Sequence, residues 1–302
     1  MMKLNLFLTI FMIHLFSDAD AYEFKIVIPK GYSKPWVTIS ADGISKDKIT
    51  EGRVHFHGWT QDQKTGRAYH PNYDFDWLDS NRSPSEVELK KFIEAYAIEK
   101  EVETNPYRMV LIPLARGHCD QYLELADDAI FDEVLSSVLH ELGMNQDSFM
   151  VKAMSAHSGG GSVLSRLMQK SGMSPFLSKV TKVILFDAVY STKSVDALYS
   201  WIMSGSSLAE SKKLLLYSIP HLGPSSYADN LLSRFNSSET IVIQNINGLS
   251  MQQKSKSTSI GNSIFKIEEL KLPYQLNHWS LVTSMWGNEI KRRSLFQMNL
   301  QW

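Results

Sequence analysis

Short runs of apolar and β-branched residues alternate along this chain with stretches whose apolar positions fall three and four apart. Phe24 to Pro29, Trp36 to Ser40 and Arg53 to His57, the last closed by Gly58, predict leading strands. A long polar and aromatic connection, Thr60 to Pro84, precedes Glu86 to Ile98, where Val87, Phe92, Ile93 and Tyr96 keep helical spacing behind Ser-Pro-Ser. From Met109 the rhythm is regular. Strand Met109 to Leu114 leads to a helix from Ile130 to Leu142, with Phe131, Val134, Leu135, Val138 and Leu139 inward and Gly143 as its stop. Strand Phe149 to Met154 leads to a helix after Ser158, and strand Val180 to Phe186 to one around Val195 to Ile202. Strand Lys213 to Ile219 leads to Tyr227 to Phe235, and Ile241 to Ile246 follows as a further strand. Strands separated by helices of this length pair in parallel through right-handed crossovers. The expected fold class is therefore α/β, an open and mostly parallel central sheet with helices on both faces, whose ligands bind at the carboxyl ends of the strands. Asn247 to Asn262, rich in Ser, Gln, Lys and Gly without an apolar period, reads as a surface insertion.

Lys3, the apolar stretch Leu4 to Phe16 and the small-x-small tripeptide Ala19-Asp20-Ala21 have the make-up of a cleaved signal peptide. About 13 apolar residues fall short of the roughly 20 that cross a bilayer. The expectation is an exported chain, secreted or periplasmic, that begins at Tyr22, forms one α/β domain over residues 22–302 and keeps no stable membrane anchor after cleavage. With 31 basic and 32 acidic residues and a formal net charge of −1, nothing suggests a nucleic-acid surface. The single cysteine, Cys119, excludes an intrachain disulfide.

The sharpest motif is Met154-Ser155-Ala156-His157-Ser158-Gly159-Gly160-Gly161, set between an apolar strand and a helix with Val163, Leu164, Leu167 and Met168 on one face. A strand that turns sharply into a helix holds a serine in a strained backbone, and small neighbours at Ala156 and Gly160 let the chains pass closely. The hydroxyl of Ser158 then stands above the sheet as a nucleophile, with the Gly159 N–H and the helix N-terminus facing a developing oxyanion. A glycine-rich phosphate turn is the other reading of these glycines, but a phosphate loop would normally add a lysine, and Ser162 and Val163 follow instead.

With this motif in place, the chain from the Val54 strand to His278 resembles the α/β-hydrolase superfamily. Val54-His55-Phe56-His57-Gly58-Trp59 is similar to the His-Gly turn of that superfamily, and the resemblance implies that the Trp59 amide is the second oxyanion donor. It also implies a late histidine as base, and Asn277-His278-Trp279-Ser280 holds one; a neutral imidazole can take the serine proton and return it. The usual place for the acid, at Ser218-Ile219-Pro220-His221, has no carboxylate. Asp187, after the preceding strand, is similar to the variant of some lipase-like members, where it would orient His278. A turn-capping role for Asp187 stays open, and Asp229, in an exposed helical setting, is the reserve acid.

These residues together imply hydrolysis of an ester or amide substrate through an acyl-enzyme, esterase- or lipase-like, with no cofactor and no metal. A cell-wall amidase or peptidase, or a non-catalytic secreted binding protein on the same scaffold, remains the alternative. His55 and His57 project to one strand face, and His118 adjoins Cys119, but neither pair completes a recognisable ligand set. His140-Glu141 lacks the second histidine of a zincin helix, since Met144 stands there. His70 to Asp79, with Tyr73, Phe75 and Trp77, follows the His57-Gly58 turn and could shape a substrate groove.

Overall fold

Strands with apolar residues on both faces need cover on both sides, and that requirement organises the chain. A computed structural model of the protein describes residues 22–58, 85–95, 98–114, 119–170, 174–204, 212–219, 223–235, 239–246, 249–260 and 263–271. Its strands are β1 (Tyr22–Val27), β2 (Trp36–Ala41), β3 (Glu51–Phe56), β4 (Arg108–Pro113), β5 (Met150–His157), β6 (Lys182–Phe186), β7 (Lys213–Ser218), β8 (Glu239–Ile246), β9 (Leu249–Ile260) and β10 (Ser263–Lys271). Its α-helices are α1 (Glu86–Ala95), α2 (Glu99–Thr104), α3 (Asp128–Glu141), α4 (Gly160–Lys170), α5 (Thr192–Met203) and α6 (Gly223–Ser233).

The described strands form one sheet in the order β1-β2-β4-β3-β5-β6-β7-β10-β9-β8. From β4 to β10 neighbouring strands are parallel, while β1 and β2 at one end and β8 and β9 at the other are antiparallel. Two cores flank the sheet. Phe131, Val134, Leu135, Val163, Leu164, Leu167, Val195, Leu198 and Leu231, from α3 to α6, cover one face. Leu89 and Ile93 of α1, Val102 of α2 and the strand residues Val110, Ile112, Phe186 and Tyr217 cover the other. This is the mostly parallel α/β architecture that the sequence implies.

Helix α3 shows how local signals set an element. Asp127 caps it by accepting from the amides of Ala129 and Ile130 at 3.1 and 3.3 Å. Gly143, at φ 69°, ends it; its amide donates to His140 O at 2.8 Å while the Met144 amide donates to Leu139 O at 2.9 Å, a paired C-terminal closure.

Three expectations change. Residues 249–260, expected as part of a surface insertion, are the twelve-residue strand β9, paired on both sides by β8 and β10. Its lysines supply length where apolar side chains are missing: Lys254 reaches Asp229 and Lys256 reaches Leu232 O, both on α6. Consequently β8 does not continue the parallel series but ends the sheet as an antiparallel edge. In the first helix Val87 is 62% exposed, and Leu89 and Ile93 take the core positions; Phe92 and Tyr96 lie outside the described side chains.

The ladder between β3 and β5 carries a bulge. Gly52 pairs with Val151 and Arg53 with Ala153, so Lys152 is the surplus residue, its carbonyl taken by the Thr181 amide at 3.1 Å. Val151 and Met154 accordingly pack into the same core although three residues apart.

Candidate active site

The site grows from the carboxyl ends of β3, β5 and β6, where the parallel strands stop together. Ser158 follows β5 directly and precedes α4, and its φ of 50° is unusual for any residue with a Cβ. Its amide donates to Phe186 O on β6 at 3.1 Å, and its carbonyl accepts from the Gly161 amide at 3.0 Å, which starts the helix. The turn is this tight because its neighbours lack side chains. A Cβ on Gly160 would stand 2.5 Å from Phe56 O and 2.9 Å from His57 O; one on Gly161 would stand 1.8 Å from Ala188 O. A Cβ on Gly58 would meet the Cβ of Ser158 at 2.6 Å. The strand-turn-helix context expected for Ser158 is therefore present, with the His57-Gly58 turn against it, and Val163, Leu164, Leu167 and Met168 form the buried face of α4.

Asp187 follows β6 and has the second positive φ of a non-glycine residue among the described residues, 47°. Its amide donates to Tyr217 O at 2.6 Å, and it is 1% exposed. Since Ser158 bonds to the carbonyl immediately before it, Asp187 is one residue beyond the point where the serine turn is anchored. Gly159 is half-buried at the start of α4, and its carbonyl accepts from the amide and hydroxyl of Ser162 at 3.1 and 2.8 Å. Trp59, His278 and the His70–Asp79 segment lie outside the described residues, as does the side chain of Cys119.

Asp229, expected as a simply exposed carboxylate, is half-buried on α6 and accepts from Lys254 and Lys271 at 3.2 and 2.8 Å. Burial raises its carboxyl, but its bonds to Lys271 and Lys254 outweigh that and hold it below the usual range.

Sequence reasoning passed over a polar string beneath the turn. Arg53, 1% exposed on β3, donates Nε–H to Ser155 Oγ at 3.0 Å and Nη1–H to Glu101 of α2 at 2.5 Å. Arg108 joins Glu101 to Glu51. Ser155 Oγ lies 2.8 Å from His55 Nδ1. Burial holds His55 well below the ordinary histidine range, with Arg53 adding to it, so this ring is neutral. Burial likewise pushes His57 down to about 4. The visible signal for this string was a charged residue inside an apolar strand, Arg53, flanked at even spacing by His55 and His57. Among the described residues no group of three or more His, Cys, Asp or Glu side chains is placed to hold a metal ion.

A mostly parallel sheet with a positive-φ serine between β5 and the following helix is the arrangement expected from the sequence. No family model and no curated protein matches the chain. Among solved structures it is similar to the BES protein from Bacillus cereus, with a TM-score of 0.48 and 9% identity over 91% of this chain and 95% of that one. It is also similar to a thermostable esterase, with a TM-score of 0.46 and 10% identity over 92% of this chain and 62% of the other. A mutant of the feruloyl esterase module from Clostridium thermocellum gives a TM-score of 0.41 and 14% identity over 72% and 73%.

Proposed function

We propose that the protein is a serine hydrolase that cleaves an ester or amide through an acyl-enzyme. The observation that supports this best is Ser158 itself: a positive-φ serine between strand and helix, with Gly58 against it and Gly160 and Gly161 after it where no Cβ fits. Such a backbone is costly to keep, of order 1–3 kcal/mol, and it lifts the hydroxyl out of the strand and above the sheet edge. In this reading Ser158 attacks the carbonyl carbon and its proton passes to His278. Asp187 orients that ring and balances the imidazolium, while the amides of Trp59 and Gly159 receive the oxyanion. The proton then moves to the leaving group, and water releases the acid by the same route. The esterase-like reading leads over an amidase, and the work is done outside the cytoplasm by a chain cut before Tyr22.

The test is covalent. A fluorophosphonate probe labels a serine only where it is activated, and peptide mapping then identifies the modified residue. The expected result is stoichiometric labelling at Ser158, absent in Ser158→Ala at unchanged melting temperature. An unlabelled wild-type protein would instead support a binding role for the same scaffold.

A further inference from the structure

β1 closes one end of the sheet, and among the described strands it pairs with β2 alone. A terminal strand presents a row of backbone N–H and C=O groups on which another chain can pair, and charges along it usually keep other chains away. β1 carries one charge of each sign. It reads Tyr22-Glu23-Phe24-Lys25-Ile26-Val27, and Pro29, which has no N–H to give, follows soon after.

Successive residues of a strand face opposite sides. Tyr22, Phe24 and Ile26 pack on the core beneath α1 and α2, Tyr22 buried and the other two half-buried. Beside them a groove of about 500 Å³ separates β1 from α1, with Leu89 in its wall, so this apolar row has room for more cover. Glu23 and Lys25 stand on the other side of the sheet, near Met109 and Leu142. Ser40 of β2 donates to Glu23 Oε1 at 3.3 Å, and Lys25 Nζ lies 3.8 Å from Oε2, with both side chains well open to solvent.

This order of charges is its own complement. Two copies joined at their edges by a two-fold axis perpendicular to the sheet run antiparallel, and facing residue numbers then have a constant even sum. With the axis at Phe24, Glu23 faces the partner's Lys25, Lys25 faces the partner's Glu23, and Tyr22 faces the partner's Ile26. An axis at Glu23 sets that carboxylate against the partner's Glu23, and an axis at Lys25 opposes two ammonium groups. Like charges directly opposite are destabilising, so the register at Phe24 is selected.

We propose that β1 is a docking edge for a second copy of this chain, the two strands joining antiparallel about Phe24 and continuing the sheet through a symmetric dimer. The charges that repel other edges thereby fix the register of this one. The apolar row of one copy then runs on into that of the other. Six residues a side make a small junction, and a Kd of about 10 μM is expected. The proposal stands apart from the serine hydrolase reading, since Ser158 lies at the end of β5; absence of fluorophosphonate labelling would leave the dimer in place.

Charge exchange tests it. Sedimentation velocity of the exported protein, over a series reaching about 100 μM, should show conversion from one chain to two. Lys25→Glu and Glu23→Lys each create two like-charge contacts across the axis and should each raise Kd about tenfold or more at unchanged melting temperature. The double exchange, E23K with K25E, restores both opposite-charge contacts and should return Kd to within about threefold of wild type. Mixing the two single variants should give a one-to-one heterodimer at least as tight as the wild-type dimer, because every facing pair is then opposite in sign. A wild type that stays single at the top of the series, a dimer indifferent to the single reversals, or a double exchange no better than the singles would each overturn the proposal. Should Lys25→Glu fail to fold, Glu23→Lys and the double exchange decide it by the same comparison.

Discussion

Ser158 and Asp187 follow neighbouring parallel strands, and their backbones are alike: φ is 50° and 47°, and each amide donates to a carbonyl in the last two residues of the next strand, Phe186 O and Tyr217 O respectively. The surroundings differ. Around Ser158 the conformation is enforced by absent side chains, with Gly58, Gly160 and Gly161 each leaving no space for a Cβ. Asp187 is followed instead by Ala188 and Val189, both buried, and aspartate is one of the few residues whose short polar side chain tolerates the left-handed region. One turn is therefore held by what its neighbours lack and the other by its own residue type. They interlock at one point, since the space closed to Gly161 is filled by the backbone of Ala188.

The largest expected effect tests the chemistry of the second turn. On the proposed roles, in which Asp187 would orient His278, Asp187→Asn keeps the volume and the left-handed tolerance but would favour the wrong imidazole tautomer; a serine protease loses about 10⁴ in turnover from the equivalent change, and a fall of several orders is expected in kcat for ester hydrolysis. Asp229→Asn, with its partly exposed carboxylate engaged by lysines, should stay near wild type in the same assay. If the two variants exchange results, the acid belongs to α6 and the likeness of the two turns is only conformational.

Next in size is the interlock. Gly161→Ala puts a Cβ where Ala188 O stands, at 1.8 Å, and backbone on one side must move; a loss of about 3 kcal/mol is expected in chemical denaturation. An unchanged midpoint would show that the turns move independently.

The supports of the two turns titrate in opposite senses. His57, beside the first, drops from 6.5 to about 4 on folding through burial, so its contribution is complete above about pH 6.5 and is lost as pH falls towards 4. Glu269 of β10 supports the second: Ser218 at the end of β7 donates to it at 3.2 Å. Burial, then Asp229, raises Glu269 to about 7 against the pull of Lys271 and Lys254. Its contribution is complete below about pH 4.5 and is lost as pH rises through 7. Melting temperature against pH should therefore lose its acid limb in His57→Asn and part of its alkaline decline in Glu269→Gln. Parallel shifts at every pH would contradict both assignments.

The smallest effect compares Ser158→Gly with Ser158→Ala. Both remove the hydroxyl, but only glycine relieves the left-handed backbone, so it should be more stable by about 1 kcal/mol. Equal midpoints would mean that the glycines around Ser158, not its own Cβ, carry the strain.

Much of this was legible in sequence because the signals were local. Apolar periodicity located α3, α4 and α5 within a few residues, and the glycines after Ser158 announced a close approach whose other side proves to be Phe56, His57 and Ala188. What escaped depends on residues far apart in the chain. β9 has no apolar face to read; its pairing comes from two flanking strands and its cover from lysine stems. Arg53 and Glu101 are 48 residues apart, and neither alone indicates an ion pair buried between β3 and α2. Glu269, 0% exposed with no hydrogen-bond partner for Oε2 among the described residues, stands beside Glu268, and nothing in that stretch of sequence sets the two apart. Asp229 was misread because its partners, Lys254 and Lys271, sit on strands that its own helix does not announce.

The bulge at Lys152 settles a matter of odd and even. A strand alternates sides residue by residue, so its numbering has a parity, and one surplus residue reverses it. Counted on from Val151 without interruption, Ala153, Ser155 and His157 would fall beneath α3 to α6, and Met154 and Ala156 would face α1 and α2. With Lys152 set aside, Met154 and Ala156 join the first core instead, while Ser155 lines up with His55 under Arg53. Chain length at that one position thus assigns sides to everything up to Ser158, and it does so without any property of the lysine itself: what matters there is that a residue exists.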